Sequence, residues 1–205
     1  YALASVGMAE DERAEGSYAW LLGQRLDDGA WPTGKAKGDY RRVAGYRRIA
    51  HSRLGCRTST TLALQCLAHH PEHSRSDIAR TGLDLLLGRD TRDAYPLGVD
   101  IARVLGAQTV AGFISFYARY DLSTILDLCG RIGGFGDDER VLDLVDFVRS
   151  LAGDYGQWRH ETSPECSRWL TFSLLRSLRW IDTGDASWTS REPRTPFRPS
   201  RHRRF

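Results

Sequence analysis

Leucine, valine and isoleucine recur along this chain at helical spacing, and glycine, proline or a cluster of acids cuts each apolar stripe short. From Arg57 the stripe of Leu62, Leu64 and Leu67 predicts a helix running to His69, where Pro71 forbids continuation. Ser74-Arg75-Ser76-Asp77 offers N-caps for a second helix through Ile78, Leu83, Leu85, Leu86 and Leu87, closed by Gly88. Asp121 reads as an N-cap before Leu122, Ile125, Leu126 and Leu128, until Gly130, Gly133 and Gly134 interrupt. Asp137-Asp138-Glu139 puts acids where the positive end of a helix favours them, ahead of Val141, Leu144, Val145 and Val148. A last stripe runs from Trp169 to Ile181 and stops at Asp182-Thr183-Gly184; an early one from Ser17 to Leu22 stops at Asp27-Asp28-Gly29. Such short stripes bury their apolar faces only against one another, so the expected class is all-α, built from helical hairpins.

Two stretches break the pattern. Pro32 to Arg53, with its glycines and many Lys and Arg, reads as a long connection, and Asp90 to Tyr120 as loop with short helical turns. The 205 residues are 41% hydrophobic, enough for one sizeable core. Residues 1–184 are therefore read as one domain. Residues 185–205, where Arg191, Arg194, Arg198, Arg201, Arg203 and Arg204 alternate with prolines, are read as a solvated basic tail. Without that tail the chain is close to neutral, which argues against nucleic acid as a partner of the folded surface. Nothing approaches the roughly 18 uninterrupted apolar residues of a membrane span, and no basic segment leads into an apolar core at the start. The expectation is a cytoplasmic protein with no membrane span. Cys56, Cys66, Cys129 and Cys166 are scattered, so reduced thiols are expected. The chain starts at Tyr1 and holds its one methionine at Met8, which suggests that further residues precede it.

Two features recur. Gln24-Arg25-Leu26-Asp27-Asp28-Gly29-Ala30-Trp31 closes one helix, and Ala152-Gly153-Asp154-Tyr155-Gly156-Gln157-Trp158 closes another with the same Gly-x-Trp ending. The helix starts that follow, Cys56 to Leu64 and Cys166 to Leu174, align cysteine with cysteine, Thr61 with Thr171 and leucine with leucine. Recurrence of this kind marks helical-repeat architectures, in which each pair needs its neighbours to cover it.

The Gln24-to-Trp31 segment resembles the Gln-Trp repeat of squalene and terpene cyclases, although the second copy lacks the leading glutamine. The stretches LAHHPEHSRS and PECSRWLTFSLLRSL are similar to bacterial prenyltransferase or squalene-cyclase repeat proteins, and the resemblance covers most of Gly16 to Ile181. It implies an α/α toroid with Arg57 to His69, Leu122 to Cys129 and Cys166 to Ile181 as inner helices around an apolar cavity. A complete ring needs more helices than these stripes supply, so the chain would be a partial ring, a fragment or half of a homodimer.

The resemblance also implies an enclosed apolar, isoprenoid-like ligand, and it leaves open whether the chain is an enzyme. Trp169, Tyr117, Asp121, Thr61 and Thr171 would line the cavity. Trp20, Trp31 and Trp158 would join them through their π faces, or Trp31 and Trp158 instead clamp repeat to repeat. The Asp-x-Asp-Asp acid of protonating cyclases is missing, and Asp90-Thr91-Arg92-Asp93 does not match the aspartate-rich diphosphate motif.

Protein prenyltransferases, similar in fold, hold zinc with Asp, Cys and His near inner-helix starts, where it keeps a substrate thiolate poised. The matching candidates are Cys56, Asp121 and Cys166 at the starts, His51 and His160 upstream, and the Asp127-Leu128-Cys129 pair. In the alternative, the cysteines are small buried residues, Asp121 is an ordinary cap and Asp127 is solvated. A non-catalytic repeat module that binds a protein partner and a zinc-dependent thiol-activating enzyme are the competing functional expectations.

Overall fold

The computed structural model describes residues 1–33, 49, 52–88, 122–160 and 163–184. The chain is all-α: seven α-helices and two short 3₁₀ turns account for the described structure, and the one β feature there is a bridge between Pro32 and Gly55. The helices are α1 (Ala2–Ser5), α2 (Glu12–Gly23), α3 (Arg57–Leu67), α4 (Asp77–Leu87), α5 (Leu122–Ile132), α6 (Glu139–Ser150) and α7 (Ser167–Thr183). No described helix is long and apolar enough to cross a membrane. The tail 185–205, the segment 89–121 and most of the connection after Thr33 lie outside the described residues.

The stripes read from sequence become α3 to α7 within a few residues, while α2 starts earlier than its stripe indicated and α1 had no stripe at all. The early start of α2 comes from its cap. Asp11 accepts from the Arg13 N–H at 3.0 Å, and the Arg13 side chain returns to the same carboxylate at 2.7 Å. Asp138 does the same for α6, accepting from the Arg140 N–H at 2.9 Å and from its Nε at 3.0 Å. Ser76 caps α4 through the Ala79 N–H at 3.2 Å. Each cap satisfies a donor that the first turn leaves orphaned, an effect of about 1 kcal/mol.

Aligned on these caps, α2, α4 and α6 are three versions of one helix. The third and seventh residues after the cap, Ala14 and Tyr18, Ala79 and Leu83, Val141 and Val145, are buried in every case. The tryptophan turns repeat as well. Trp31 Nε1 donates to the Leu21 carbonyl at 2.8 Å and Trp158 Nε1 to the Val148 carbonyl at 2.7 Å, ten residues back each time. Gly29 and Gly156 both take positive φ, 95° and 67°, which the tight return of the chain requires.

The helix after each turn is joined to it through a threonine. Thr60 Oγ1 accepts from the Trp31 N–H at 2.9 Å, and Thr171 Oγ1 from the Trp158 N–H at 3.0 Å. This corrects the sequence alignment by one residue. Thr60 corresponds to Thr171, so Cys56 corresponds to Ser167 and not to Cys166, because the hydroxyl that ties helix to turn is the constrained position.

The core sits around α5, whose residues from Leu122 to Gly130 are all buried, as expected of a helix with neighbours on every side. It packs against α4, α6 and α7, and α3 packs against α4. α5 and α7 approach closely at Gly130, where a Cβ would lie 3.0 Å from the Trp180 ring and 3.2 Å from the Ser177 carbonyl.

Candidate functional site

Two arrangements stand out: a buried charged cluster at the α5–α7 contact, and apolar surface at the ends of the helix stack. In the cluster, Asp127 is buried and its carboxylate is bound on both sides. Arg131 Nε, one turn along α5, donates to Oδ2 at 2.7 Å, and Arg176 Nη2 from α7 donates to Oδ1 at 2.9 Å. Both guanidinium groups also stack over the Trp180 ring, at 4.7 and 4.9 Å from its centroid. His69, at the end of α3, is held below the usual imidazole range by burial first and by the Arg131 charge second. Its Nδ1–H donates to the Gln65 carbonyl at 2.8 Å, and Tyr1 meets the ring edge-on at 5.2 Å.

The expectation of a solvated Asp127 is thereby corrected. Two arginines hold it inside the helix contact, and a carboxylate with both oxygens so occupied clamps helices and is poorly placed to ligate a metal. Cys129 cannot share an ion with it either, since residues two apart on a helix do not face each other. Burial pushes the Cys129 thiol up to about 12, so it is protonated at neutral pH.

The other metal candidates are dispersed in role. Cys56 is buried, and its backbone N–H donates to the Trp31 carbonyl at 2.9 Å. Cys166 is half-buried at the end of the turn Pro164–Cys166. The His160 Nδ1 accepts from the Ser163 N–H at 3.0 Å, closing its own loop. Among the described residues no three His, Cys, Asp or Glu side chains come together as an ion would require. His51 and Asp121 lie outside the described residues, as does Tyr117 from the cavity set.

Of the remaining cavity candidates, Thr61 is sealed in the core, Thr171 is tied to its turn and Trp169 lies largely in solvent. A cavity of about 50 Å³ opens between Cys129, Phe135, Val141 and Trp180. A ligand-sized pocket holds roughly 300–1,000 Å³.

The apolar surface is more extensive. On α7, Trp169, Phe172 and Leu175 are 63%, 54% and 51% exposed, and their spacing of three puts them on one side of the helix. On α2, Trp20 is 65% exposed, near the exposed Leu3 and Val6 in sequence. Sequence reasoning put Trp169, Phe172 and Leu175 together in the apolar stripe of the last helix, with Trp169 inward, and did not single out Arg131 or Arg176. The signal for the exposure of the three was there: α7 carries apolar residues on more than one side, so one side had to remain outside the core.

Comparison of the chain with protein-family models, with curated proteins and with solved structures finds no match.

Proposed function

We propose that this chain is a helical-repeat interaction module, in which successive helix pairs stack in two layers and the end faces of the stack receive protein partners. The observation that carries this reading is the row of Trp169, Phe172 and Leu175, three large apolar side chains more than half exposed along one helix. Apolar surface concentrated in this way is unfavourable in water and marks a contact site. The charge cluster between α5 and α7 points the same way, because the Asp127 carboxylate is engaged by both Arg131 and Arg176 across a helix contact, which gives it a structural role.

An enclosed isoprenoid-like ligand, handled by a prenyltransferase- or cyclase-like site, has less behind it, since Trp169 faces solvent and Thr171 is tied to its turn. The test places a photo-crosslinking amino acid at Phe172 or at Trp20, with exposed Glu139 as control, in cells that make the protein. Adducts of protein mass at Phe172 or Trp20, and none at Glu139, are expected. Their absence at both, or a melting temperature raised by prenyl diphosphates, would sink the module reading.

A further inference from the structure

The two exposed ends are the unmatched halves of an interface that the molecule already uses internally. Inside the stack, α4 docks on the preceding repeat through Thr81, Gly82 and Leu85. A Cβ on Gly82 would lie 3.0 Å from Leu64 of α3 and 3.1 Å from the Trp31 ring, and one on Gly29 would lie 2.7 Å from Thr81 and 3.4 Å from Leu85. The face presented by α4 is therefore small at the sixth residue after its cap and large and apolar at the ninth. The face that receives it is a Gly-x-Trp turn together with the leucine four residues after the turn-binding threonine.

Each half recurs once without its counterpart. At the front of the stack, the residues of α2 equivalent to Gly82 and Leu85 are Ser17 and Trp20, both exposed, and a Cβ on the neighbouring Gly16 would meet nothing within 4 Å. In α6 the ninth residue is Phe147, packed partly against the core. At the back of the stack, the residue of α7 equivalent to the fully buried Leu64 is Leu175, half exposed, and a Cβ on Gly156, the equivalent of the crowded Gly29, would meet nothing within 4 Å. Front and back thus carry the complementary surfaces of one contact, and among the described residues neither is covered.

We infer that a second copy of this chain docks head to tail, its α2 seated through Ser17 and Trp20 on the Gly156 turn and the Leu175 face of α7, as α4 is seated on Gly29 and Leu64. This specifies the partner within the interaction-module reading and rests on it. A contact between two different faces closes into a ring or continues as an open chain, so the assembly has cyclic or linear order and no face-to-face pairing of α7 with α7.

Sedimentation velocity of the purified chain, from roughly 1 to 200 µM, tests this, because contacts of this class dissociate in that range. Mass is expected to rise with concentration from 23.1 kDa to twice that value or to higher multiples. Trp20→Glu and Leu175→Glu change exposed positions and are each expected to stay at 23.1 kDa, with unchanged helical circular dichroism. Ser17→Leu, which adds bulk without charge, is expected to weaken association about tenfold or more. The signature is complementation: an equimolar mixture of the Trp20→Glu and Leu175→Glu chains regains a dimer, since each retains the half that the other lacks.

A wild-type chain that stays monomeric throughout overturns the inference, as does an assembly that Leu175→Glu abolishes and Trp20→Glu leaves intact. Photo-crosslinks from Phe172 to a different protein, with a monomeric chain, would sustain the interaction module and defeat self-association. Absence of any protein adduct would defeat both.

Discussion

The Thr60 hydroxyl accepts the backbone N–H of Trp31 across 2.9 Å and faces the carbonyl of the same tryptophan at 3.4 Å, so that one side chain closes the backbone of a turn onto the helix that follows it. Thr171 holds Trp158 at 3.0 and 3.3 Å in the same way. The Trp31 carbonyl already receives the Cys56 N–H at 2.9 Å, so what the turn needs from Thr60 is an acceptor for its buried N–H, which a hydroxyl supplies. Thr60→Val keeps the shape and removes this acceptor. It should cost about 1–3 kcal/mol in urea unfolding, the penalty for a buried unsatisfied N–H. Thr171→Val, at a half-buried site that water can reach, should cost less.

Asp127 answers a different problem, the approach of Arg131 and Arg176 to the same ring and to each other. Asp127→Asn leaves two half-buried cations with a neutral partner. Removing one member of a fully buried ion group typically destabilises by about 3–5 kcal/mol, and here, where water reaches both arginines, the loss should be smaller. The loss should appear as a lower urea midpoint with an unchanged slope, and Arg176→Met, which removes the excess charge, should restore part of it in the double variant.

Much of the helical content could be read from residues such as Leu83, Leu86 and Leu87, because a stripe broken by Gly88 has one local solution. What could not be read depends on partners distant in sequence. Asp127 looked solvated because its i+4 neighbour Arg131 alone makes an ordinary surface pair, and only the fold brings Arg176 to its other oxygen. The start of α2 was missed because Ala14 and Tyr18 are its buried residues, too sparse to make a stripe, although Asp11-Glu12-Arg13 repeats as Asp138-Glu139-Arg140 at the same separation as Trp31 and Trp158. The alignment slipped by one residue because identity of cysteines was weighed over the hydroxyl that bonds the turn. Side chains implied by family resemblance, Trp169 above all, depend on which helix comes next in the stack, and that information is not local.

Gly130 and Gly16 should respond oppositely to the same change. At Gly130 an added methyl meets the Trp180 side chain at 3.0 Å and the Ser177 carbonyl at 3.2 Å, and neither a packed indole nor a helix backbone can yield cheaply. Gly130→Ala should destabilise by about 1–2 kcal/mol, the overpacking cost being partly offset by helix propensity. At Gly16 nothing lies within 4 Å, so Gly16→Ala should stabilise the single chain by about 0.5–1 kcal/mol. Thermal unfolding of the two variants at low concentration decides it.

Acid should weaken the protein in two separate windows. His70 is held below the usual imidazole range, first by burial and then by the charge of His73, with Glu10 and Glu72 opposing. Its Nδ1 accepts from the Glu72 and His73 N–H groups at 3.2 and 3.4 Å, which requires that nitrogen unprotonated. His69 is lowered likewise. A histidine whose folded pKa is depressed binds fewer protons folded than unfolded, so stability falls as pH drops through about 6.5 and levels off below the folded pKa. Asp138 acts lower, since hydrogen bonds from Arg140 hold its carboxyl below the usual range. Its contribution is present above about pH 4 and is lost as pH falls through the depressed value. Melting temperature against pH should therefore decline as pH falls through about 6.5, level off, and decline again in strong acid. His69→Gln with His70→Asn should flatten the first step alone, because Asn at position 70 keeps an acceptor and removes the titration, and Asp138→Asn should flatten the second. A single descent that ignores the histidine substitutions would show that His69 and His70 are not the groups sensing the first window.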